Sequence, residues 1–474
     1  MNIFVYIGLL GWLPAVLFLF AVLPPRRAVL AAFLVAWLFL PIAQFKLSGL
    51  PDYTKMSATC AGVLLATAIF DPGRLLDFRP RWADLPMLVW CLVPVQSSLS
   101  NDLGHYDALA SSVQQTVIWG FPYLIGRLYF TDWAGLRALA AAMFLGGLVY
   151  VPLCLYEIRM SPQLHNIVYG YHQTTFAEAR RFGGWRPMVF MHHGLMLGMW
   201  MSVASLLGIW LWRTGAVRRL GRWSVGPLVL VLLATTVACK SMGALFLLAV
   251  GLGLLETLRC VRTGLVVLAL AALPPAYMLA RTMGGWQANE LLTCAKLVDD
   301  DRAESLDTRL RNETMLAERA LLRPVWGWGG WGRSRVYDDE TLEDRSITDG
   351  FWVIALGVNG TVGLVAVTAV WTVPMLVLLR RCRGRYWDQP LVGGAAGLAV
   401  ALLLCMVDNL FNSMINPIFL LAAGGLSGLS APYPAWAGQT DRSSRAIVQD
   451  ANLSAPAARH RPLPRPVLQS APPC

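Results

Sequence analysis

Charge is scarce in this sequence. Only 14% of its 474 residues are Asp, Glu, Lys or Arg, against about a quarter in an ordinary soluble domain. Acidic residues are the scarcer sign, 28 against 39 Lys and Arg. So little charge excludes a disordered chain and argues strongly against a soluble enzyme. Metal and redox signatures are missing as well. The nine cysteines include no Cys-x-x-Cys, and the six histidines include no His-Glu-x-x-His, so spacing indicates neither a zinc site nor a disulfide framework. Most cysteines (Cys60, Cys91, Cys154, Cys239, Cys405) lie in or beside apolar runs. No basic segment precedes the first apolar run, so residues 1–23 read as a retained span rather than a cleaved signal peptide. No internal repeat of the transporter kind is evident.

What is abundant is apolar. Hydrophobic residues make up 56% of the chain, Trp occurs 19 times, and mean hydropathy is +0.53. That is enough for roughly a dozen membrane helices. Apolar runs fall near 3–23, 28–45, 55–70, 82–98, 113–130, 136–157, 187–212, 224–239, 241–258, 263–283, 351–379, 390–410 and 416–430. The expected fold is an all-α polytopic bundle of about 12–14 spans over residues 1–430. Two long loops interrupt it, at about 158–186 and 284–350. Residues 431–474, rich in Pro, Ala and Arg, are expected to form a disordered tail.

The net charge of +11 would suggest nucleic acid in a soluble protein. Its distribution suggests membrane lipid instead. Connections of one parity hold Arg26, Arg27, Arg74, Arg79, Arg81, Arg137, Arg213, Arg218, Arg219, Arg222, Arg259, Arg262, Arg380, Arg381, Arg383 and Arg385. The short connections of opposite parity hold only Lys46, Lys55 and Lys240. The positive-inside rule makes the arginine side cytoplasmic, with the N-terminus outside and the C-terminus inside a bacterial inner membrane. Both long loops then lie outside.

The larger loop carries most of the candidate chemistry. Between Ser305 and Arg323, apolar residues at Leu306, Leu310, Leu316, Ala317, Ala320 and Leu321 approach helical spacing. This predicts an amphipathic helix on the outer membrane face, stopped by Pro324. Arg309, Arg311, Arg319 and Arg323 fall on its polar side, either as a functional set or as a solvated face with Arg309 supported by Glu313 at i,i+4. Pro324-Val-Trp-Gly-Trp-Gly-Gly-Trp-Gly332 predicts a tight turn back toward the bundle. It lacks the Lys-Ser/Thr ending of a nucleotide loop. Its tryptophans suit an interfacial belt better than a sugar-stacking surface. Asp349 stands where loop becomes span, as a general base or as a helix cap; spacing alone favours the cap.

In the smaller loop, Arg180, Arg181 and Arg186 precede Pro187, and His192 and His193 follow it. The histidines, read as lying within a span, either line a cavity or make a polar contact between helices. Asp408, near the outer end of a later span, lines the same cavity or caps its helix. No metal ligand set is indicated.

The order of these parts resembles the O-antigen ligase and O-antigen polymerase superfamily of bacterial membrane glycosyltransferases. Arg181-Phe-Gly-Gly-Trp-Arg-Pro187 is similar to the family's Arg–Gly–Pro start of a middle span. Lys240-Ser-Met-Gly-Ala244 is similar to its Ser-Arg-Gly-Ala turn, with Met242 in place of the usual Arg. Arg309 precedes Pro324 by close to the family spacing, and Pro324-Val-Trp-Gly-Trp-Gly329 fits its Pro-x-x-Gly-x-Gly. Asp349-Gly-Phe-Trp followed by Gly360-Thr-Val-Gly363 resembles its span opening with His/Asp-Asn-x-Tyr and ending in Gly-x-x-Gly. Ligases of the family usually carry a histidine where this chain has Asp349, and the following Asn is Gly350. The match covers about 170–375.

The resemblance implies a donor glycan on a polyprenyl diphosphate, a glycan or lipid-linked acceptor, and envelope-assembly proteins as partners. Nucleic acid is not implied, nor is a cofactor. It gives Asp349 and Arg309 catalytic roles. Arg180, Arg181, Arg186 and Arg311 would bind the diphosphate, and His192, His193 and Asp408 would line the cavity. Polymerase and ligase remain alternatives. A multi-span transporter or lipid-glycan flippase is the rival class, and a non-catalytic envelope scaffold is the third.

Overall fold

The computed structural model describes residues 2–431 and 433, apart from 48–50, 182, 284, 298–299, 339 and 342. The tail expected at 431–474 lies outside the described residues, Ala431 and Tyr433 excepted.

The chain is predominantly helical, as its apolar runs predict. The first half holds α1 (Ile3–Leu10), α2 (Trp12–Val22), α3 (Pro25–Phe39), α4 (Lys55–Phe70), α5 (Pro72–Leu76), α6 (Leu85–Leu99), α7 (Gly104–Gln115), α8 (Phe121–Tyr129), α9 (Trp133–Met160), α10 (Leu164–Tyr169) and α11 (Gly194–Arg213). The second half holds α12 (Val225–Ala238), α13 (Met242–Val261), α14 (Leu265–Met283), α15 (Asn289–Lys296), α16 (Asp300–Leu321), α17 (Phe351–Arg381), α18 (Gly393–Asp408) and α19 (Pro417–Ser427). Among the described residues, sheet is limited to three two-residue antiparallel ladders, β1 (Gln44–Phe45) with β2 (Tyr53–Thr54), β3 (Arg180–Arg181) with β4 (Gly184–Trp185) and β5 (Arg219–Leu220) with β6 (Trp223–Ser224), and one isolated bridge, Tyr337 with Asp344.

Among the described residues, five helices are long and apolar enough to cross a membrane: α9, α11, α13, α14 and α17. The α1–α2 pair, bent by 44°, would make a sixth. Four shorter apolar helices, α4, α12, α18 and α19, accompany them. The thirteen apolar runs therefore do not resolve into thirteen full-length spans. At 1.5 Å per residue, a 15-residue helix reaches about 22 Å, short of a hydrocarbon core of about 30 Å. The run at 113–130 is divided among α7, one π-helical turn at Thr116–Gly120 and α8.

α18 and α19 form the buried centre. Every residue of α18 from Gly393 to Met406, and every residue of α19, is buried. Small residues allow close packing there. A Cβ at Gly126 of α8 would collide with the Leu421 carbonyl, and one at Gly424 with the Tyr123 carbonyl. Such small-residue contact is how helices approach when lipid supplies no hydrophobic drive.

α16 departs from expectation in one respect. Its apolar stripe does not lie on lipid. Leu316, Ala317 and Ala320 pack with Met278 of α14, Trp352, Val353 and Leu356 of α17, and Leu410. The stripe that suggested a membrane surface is the packing face of a bundle helix.

Candidate functional site

Two arginine–carboxylate pairs sit one turn apart along α16, and they differ in kind. Glu313 is buried and saturated. Arg281 Nε donates to its Oε1 at 2.6 Å, the Tyr277 hydroxyl donates at 2.8 Å, and Trp352 Nε1 donates to Oε2 at 3.3 Å. The side chains of Arg281 and Glu313 are 3% and 8% exposed. This pair clamps α14, α16 and α17 together. It also overturns the expected Arg309–Glu313 support along α16, because Glu313 is committed to Arg281.

Arg309 turns to Asp349 instead. Its Nε lies 3.5 Å from Asp349 Oδ2, with side-chain exposures of 32% and 39%. A charge-assisted pair of full strength closes to about 2.8 Å, so this one is loose. Arg309 also reaches the Phe411 carbonyl at 3.5 Å. Its charge acts on Asp408 as well, whose Oδ1 accepts from Asn412 Nδ2 at 2.8 Å. Arg309, Asp349 and Gly350 line a shallow surface cleft with Glu313, Ile347 and Phe411. Leu316, Val353 and Leu410 complete its lining. Of its three charged residues, Arg309 and Asp349 face one another, while Glu313 belongs to Arg281.

Asp349 is not a helix cap. The N-cap of α17 is Gly350, without a side-chain cap bond. The Phe351 amide donates instead to the Asn409 carbonyl at 2.9 Å. A Cβ at Gly350 would lie 2.5 Å from the Leu410 carbonyl oxygen. Glycine thus lets the start of α17 press against the end of α18, and the Asp349 carboxylate is left to Arg309.

The loop after α16 is built into α17 itself. Gly360 breaks that helix with φ 64° and ψ −168°. In an unbroken helix the amides of Thr361 and Val362 would bond the carbonyls of Gly357 and Val358. Here Thr361 N donates to Pro324 O at 2.7 Å and Val362 N to Val325 O at 3.4 Å. The vacated carbonyls accept from the loop: Trp328 N to Gly357 O at 2.8 Å and Gly329 N to Val358 O at 3.0 Å. Ser97 of α6 adds a hydroxyl bond to Val358 O at 2.6 Å. Gly327 and Gly329 both adopt φ 73°, the left-handed region that glycine enters without strain.

The expected turn is therefore present, but Trp328 is not part of a loose belt. Its ring lies under Arg319 (3.7 Å) and Arg323 (4.8 Å), and its Nε1 donates to the Arg319 carbonyl. Trp331 is 78% exposed. Asn101, which the sequence reading did not single out, ties this region together. Its Nδ2 donates to Ser97 O and Gly327 O, and its Oδ1 accepts from Arg323.

The remaining candidates lie outside the cleft. Arg311 is exposed and paired with Asp307 at 2.7 Å, one turn back on α16. Arg180 and Arg181 are exposed on the β3–β4 ladder, where Lys240 Nζ reaches the Arg181 carbonyl at 3.4 Å. That contact joins the smaller loop to the turn between α12 and α13. Arg186 is buried at 8% exposure, and a Cβ on Gly194 would collide with its Cδ. His192 and His193 precede α11 rather than lying inside it. His193 is the N-cap, its Nδ1 accepting from Leu195 N at 3.1 Å. The single arginine cluster expected for a diphosphate is thus divided, with Arg309 alone lining the cleft.

Glu157 was also missed. It is 1% exposed, and its carboxylate accepts from the amides of Leu164, Met188 and Val189 at 2.7–3.0 Å. It fastens both ends of the smaller loop to α9. Among the described residues, no group of three or more His, Cys, Asp or Glu gathers as a metal ligand set.

No known family model matches this sequence, and no curated protein sequence matches it. The bundle and the geometry of its cleft carry the functional argument.

Proposed function

We propose that this chain is a membrane glycosyltransferase that polymerises or ligates polyprenyl-diphosphate-linked glycans on the external face of the bacterial inner membrane. The observation that carries this reading is the loose Arg309–Asp349 pair facing an open cleft at one end of an apolar bundle. The motif order resembling O-antigen ligases and polymerases supports it.

The chemistry suits that pair. An acceptor hydroxyl oxygen attacks the anomeric carbon of the donor sugar. The bond from that carbon to the diphosphate oxygen breaks, and the diphosphate leaves with the electron pair. Asp349 takes the hydroxyl proton as general base. Arg309 stabilises the charge that grows on the leaving diphosphate. A diphosphate leaves without much help from a general acid. The lipid tail of the donor explains why the enzyme is embedded.

The expected result is that Arg309→Ala and Asp349→Ala abolish glycan assembly in the native host while the protein still inserts. Full activity in both variants overturns the assignment. Profiling polyprenyl-linked intermediates after gene deletion separates the subclasses. Single repeat units accumulating on the carrier indicate a polymerase, and long chains stranded there indicate a ligase.

One observation favours a transporter as the second reading: the span α17 is broken, as substrate-binding helices of transporters often are. The backbone groups exposed by that break are already taken by the 324–329 loop. They are not left to coordinate a solute, so the transferase is the stronger reading. Unchanged glycans and carrier pools after deletion would favour the transporter.

A further inference from the structure

A second cavity lies at the opposite end of α19 from the Arg309–Asp349 cleft. α19 begins after Asn416, a few residues beyond the Asp408–Phe411 segment beside Arg309, and it ends at Gly428 on the second cavity.

This cavity has a volume of about 260 Å³, and four arginines line it: Arg74, Arg79, Arg81 and Arg127. Two of them are framework. Arg74 Nε pairs with Asp71 at 2.6 Å. Arg127, with a side chain only 5% exposed, pairs with Asp84 at 2.7 Å. The other two are available. Among the described residues Arg79 has no ion pair, and Arg81 donates from its guanidinium to one backbone carbonyl, Gly428 O, at 3.0 Å. The only carboxylate in the lining is Asp77.

The surroundings are apolar and open. Leu76, Trp82 and Leu85 are 77%, 55% and 59% exposed, in the same 72–85 stretch that supplies Arg79 and Arg81. Exposed guanidiniums lining a half-open cavity, with exposed apolar side chains beside it, suit an amphipathic anion. Basic pockets between membrane helices bind phosphate headgroups in this way.

We propose that this cavity binds the phosphate of an anionic phospholipid headgroup, with Arg79 and Arg81 as the contacting cations. Free inorganic phosphate shares the headgroup chemistry but has no use for the apolar surroundings. The proposal does not rest on the transferase reading.

Native mass spectrometry of the full-length protein in detergent, titrated separately with phosphatidylglycerol and phosphatidylcholine, tests it. The wild type is expected to retain phosphatidylglycerol preferentially. The double variant Arg79→Gln/Arg81→Gln is expected to bind it roughly thirtyfold more weakly, each arginine being worth about 1 kcal/mol near a membrane surface. Equal retention of the two lipids by the wild type overturns the proposal, and that comparison needs no variant. Unchanged phosphatidylglycerol affinity in a folded double variant overturns it as well. If inorganic phosphate protects the wild type against heat as well as phosphatidylglycerol does, the lipid assignment falls and the site is one for a free anion.

Discussion

Asp349→Asn and Glu313→Gln are nearly isosteric changes, one on each arginine pair of α16, and they are expected to have opposite consequences. Glu313 sits in a saturated, buried network, with Arg281 Nε at 2.6 Å and both side chains under a tenth exposed. Glutamine keeps one acceptor oxygen where Tyr277 and Trp352 each donate to a different carboxylate oxygen, and it leaves the Arg281 guanidinium buried without its counter-ion. Breaking a buried pair in this way costs about 3–5 kcal/mol. The Asp349 pair is longer, at 3.5 Å, and both partners are about a third exposed. Solvent screening limits its worth to about 1 kcal/mol at most. A positioned general base, the role proposed for Asp349, is worth roughly 10²–10⁴ in rate. Thermal unfolding in detergent, followed by tryptophan fluorescence, measures the first effect. Transfer of a polyprenyl-linked glycan to its acceptor measures the second. The expected pattern is a large loss of stability in Glu313→Gln, and near wild-type stability with activity lost in Asp349→Asn. If Asp349→Asn unfolds as readily as Glu313→Gln, Asp349 is structural. If it is as stable as wild type and fully active, Asp349 is not the base.

Further outcomes follow from the same geometry. Gly327→Ala places a Cβ 2.6 Å from the Val358 carbonyl at φ 73°, so the 324–329 loop is expected to lose its seat on α17; faster protease cleavage within 324–332 reports it. Trp328→Ala removes a ring stacked under two guanidiniums and is expected to cost about 1–2 kcal/mol in the same unfolding assay. Arg311→Ala, on an exposed i,i+4 pair with Asp307, is expected to change stability by less than about 0.5 kcal/mol and to leave glycan transfer intact. His165 is held neutral: its Nε2 accepts from Ile42 N, and its Nδ1 donates to Tyr171 O. Burial, aided by the nearby Lys55 and His172 charges, pushes it down to about 4. The unfolded chain therefore binds the extra proton first. Stability is full above about pH 6.5 and falls toward pH 4, by up to about 3 kcal/mol. His165→Gln should flatten that slope in unfolding measured across the interval.

The parts of this molecule legible in the sequence are those set by local pattern. Apolar runs announce helices, Pro324 closes α16, and the glycines of 324–332 announce a turn. What stayed hidden depends on partners far along the chain. Glu313 pairs with Arg281, 32 residues earlier, rather than with Arg309 one turn away, and no helical periodicity contains that choice. Asp349 missed the cap by a single residue, because glycine at 350 alone tolerates the Leu410 carbonyl. His193 was read inside a span when it begins one, since apolar Met188–Met191 blurs the boundary. The break in α17 did leave a trace: Asn359-Gly360 is a turn dipeptide, set in an otherwise apolar run.

That break explains why two glycine patterns some thirty residues apart belong together. Two helical bonds, from the amides of residues 361 and 362 to the carbonyls of 357 and 358, are each replaced by a donor and an acceptor from the loop. The exchange gives both displaced amides and both vacated carbonyls new partners, which a buried segment requires, because each one left unmade costs about 1–3 kcal/mol. It works only if Gly360 opens the helix and if Gly327 and Gly329 allow the loop to lie flat against it. Pro324 adds a carbonyl acceptor while giving up no amide that would need a partner. The loop is thereby locked to the first third of α17, whose opening residues carry Gly350 and follow directly on Asp349. α16, which carries Arg309, runs into that same loop at Pro324. The Arg309–Asp349 distance is therefore fixed at the loop end by this interlock and within the bundle by the Arg281–Glu313 clamp. A loose, exposed ion pair held between two rigid connections is the arrangement expected of groups kept apart for a ligand rather than joined for stability.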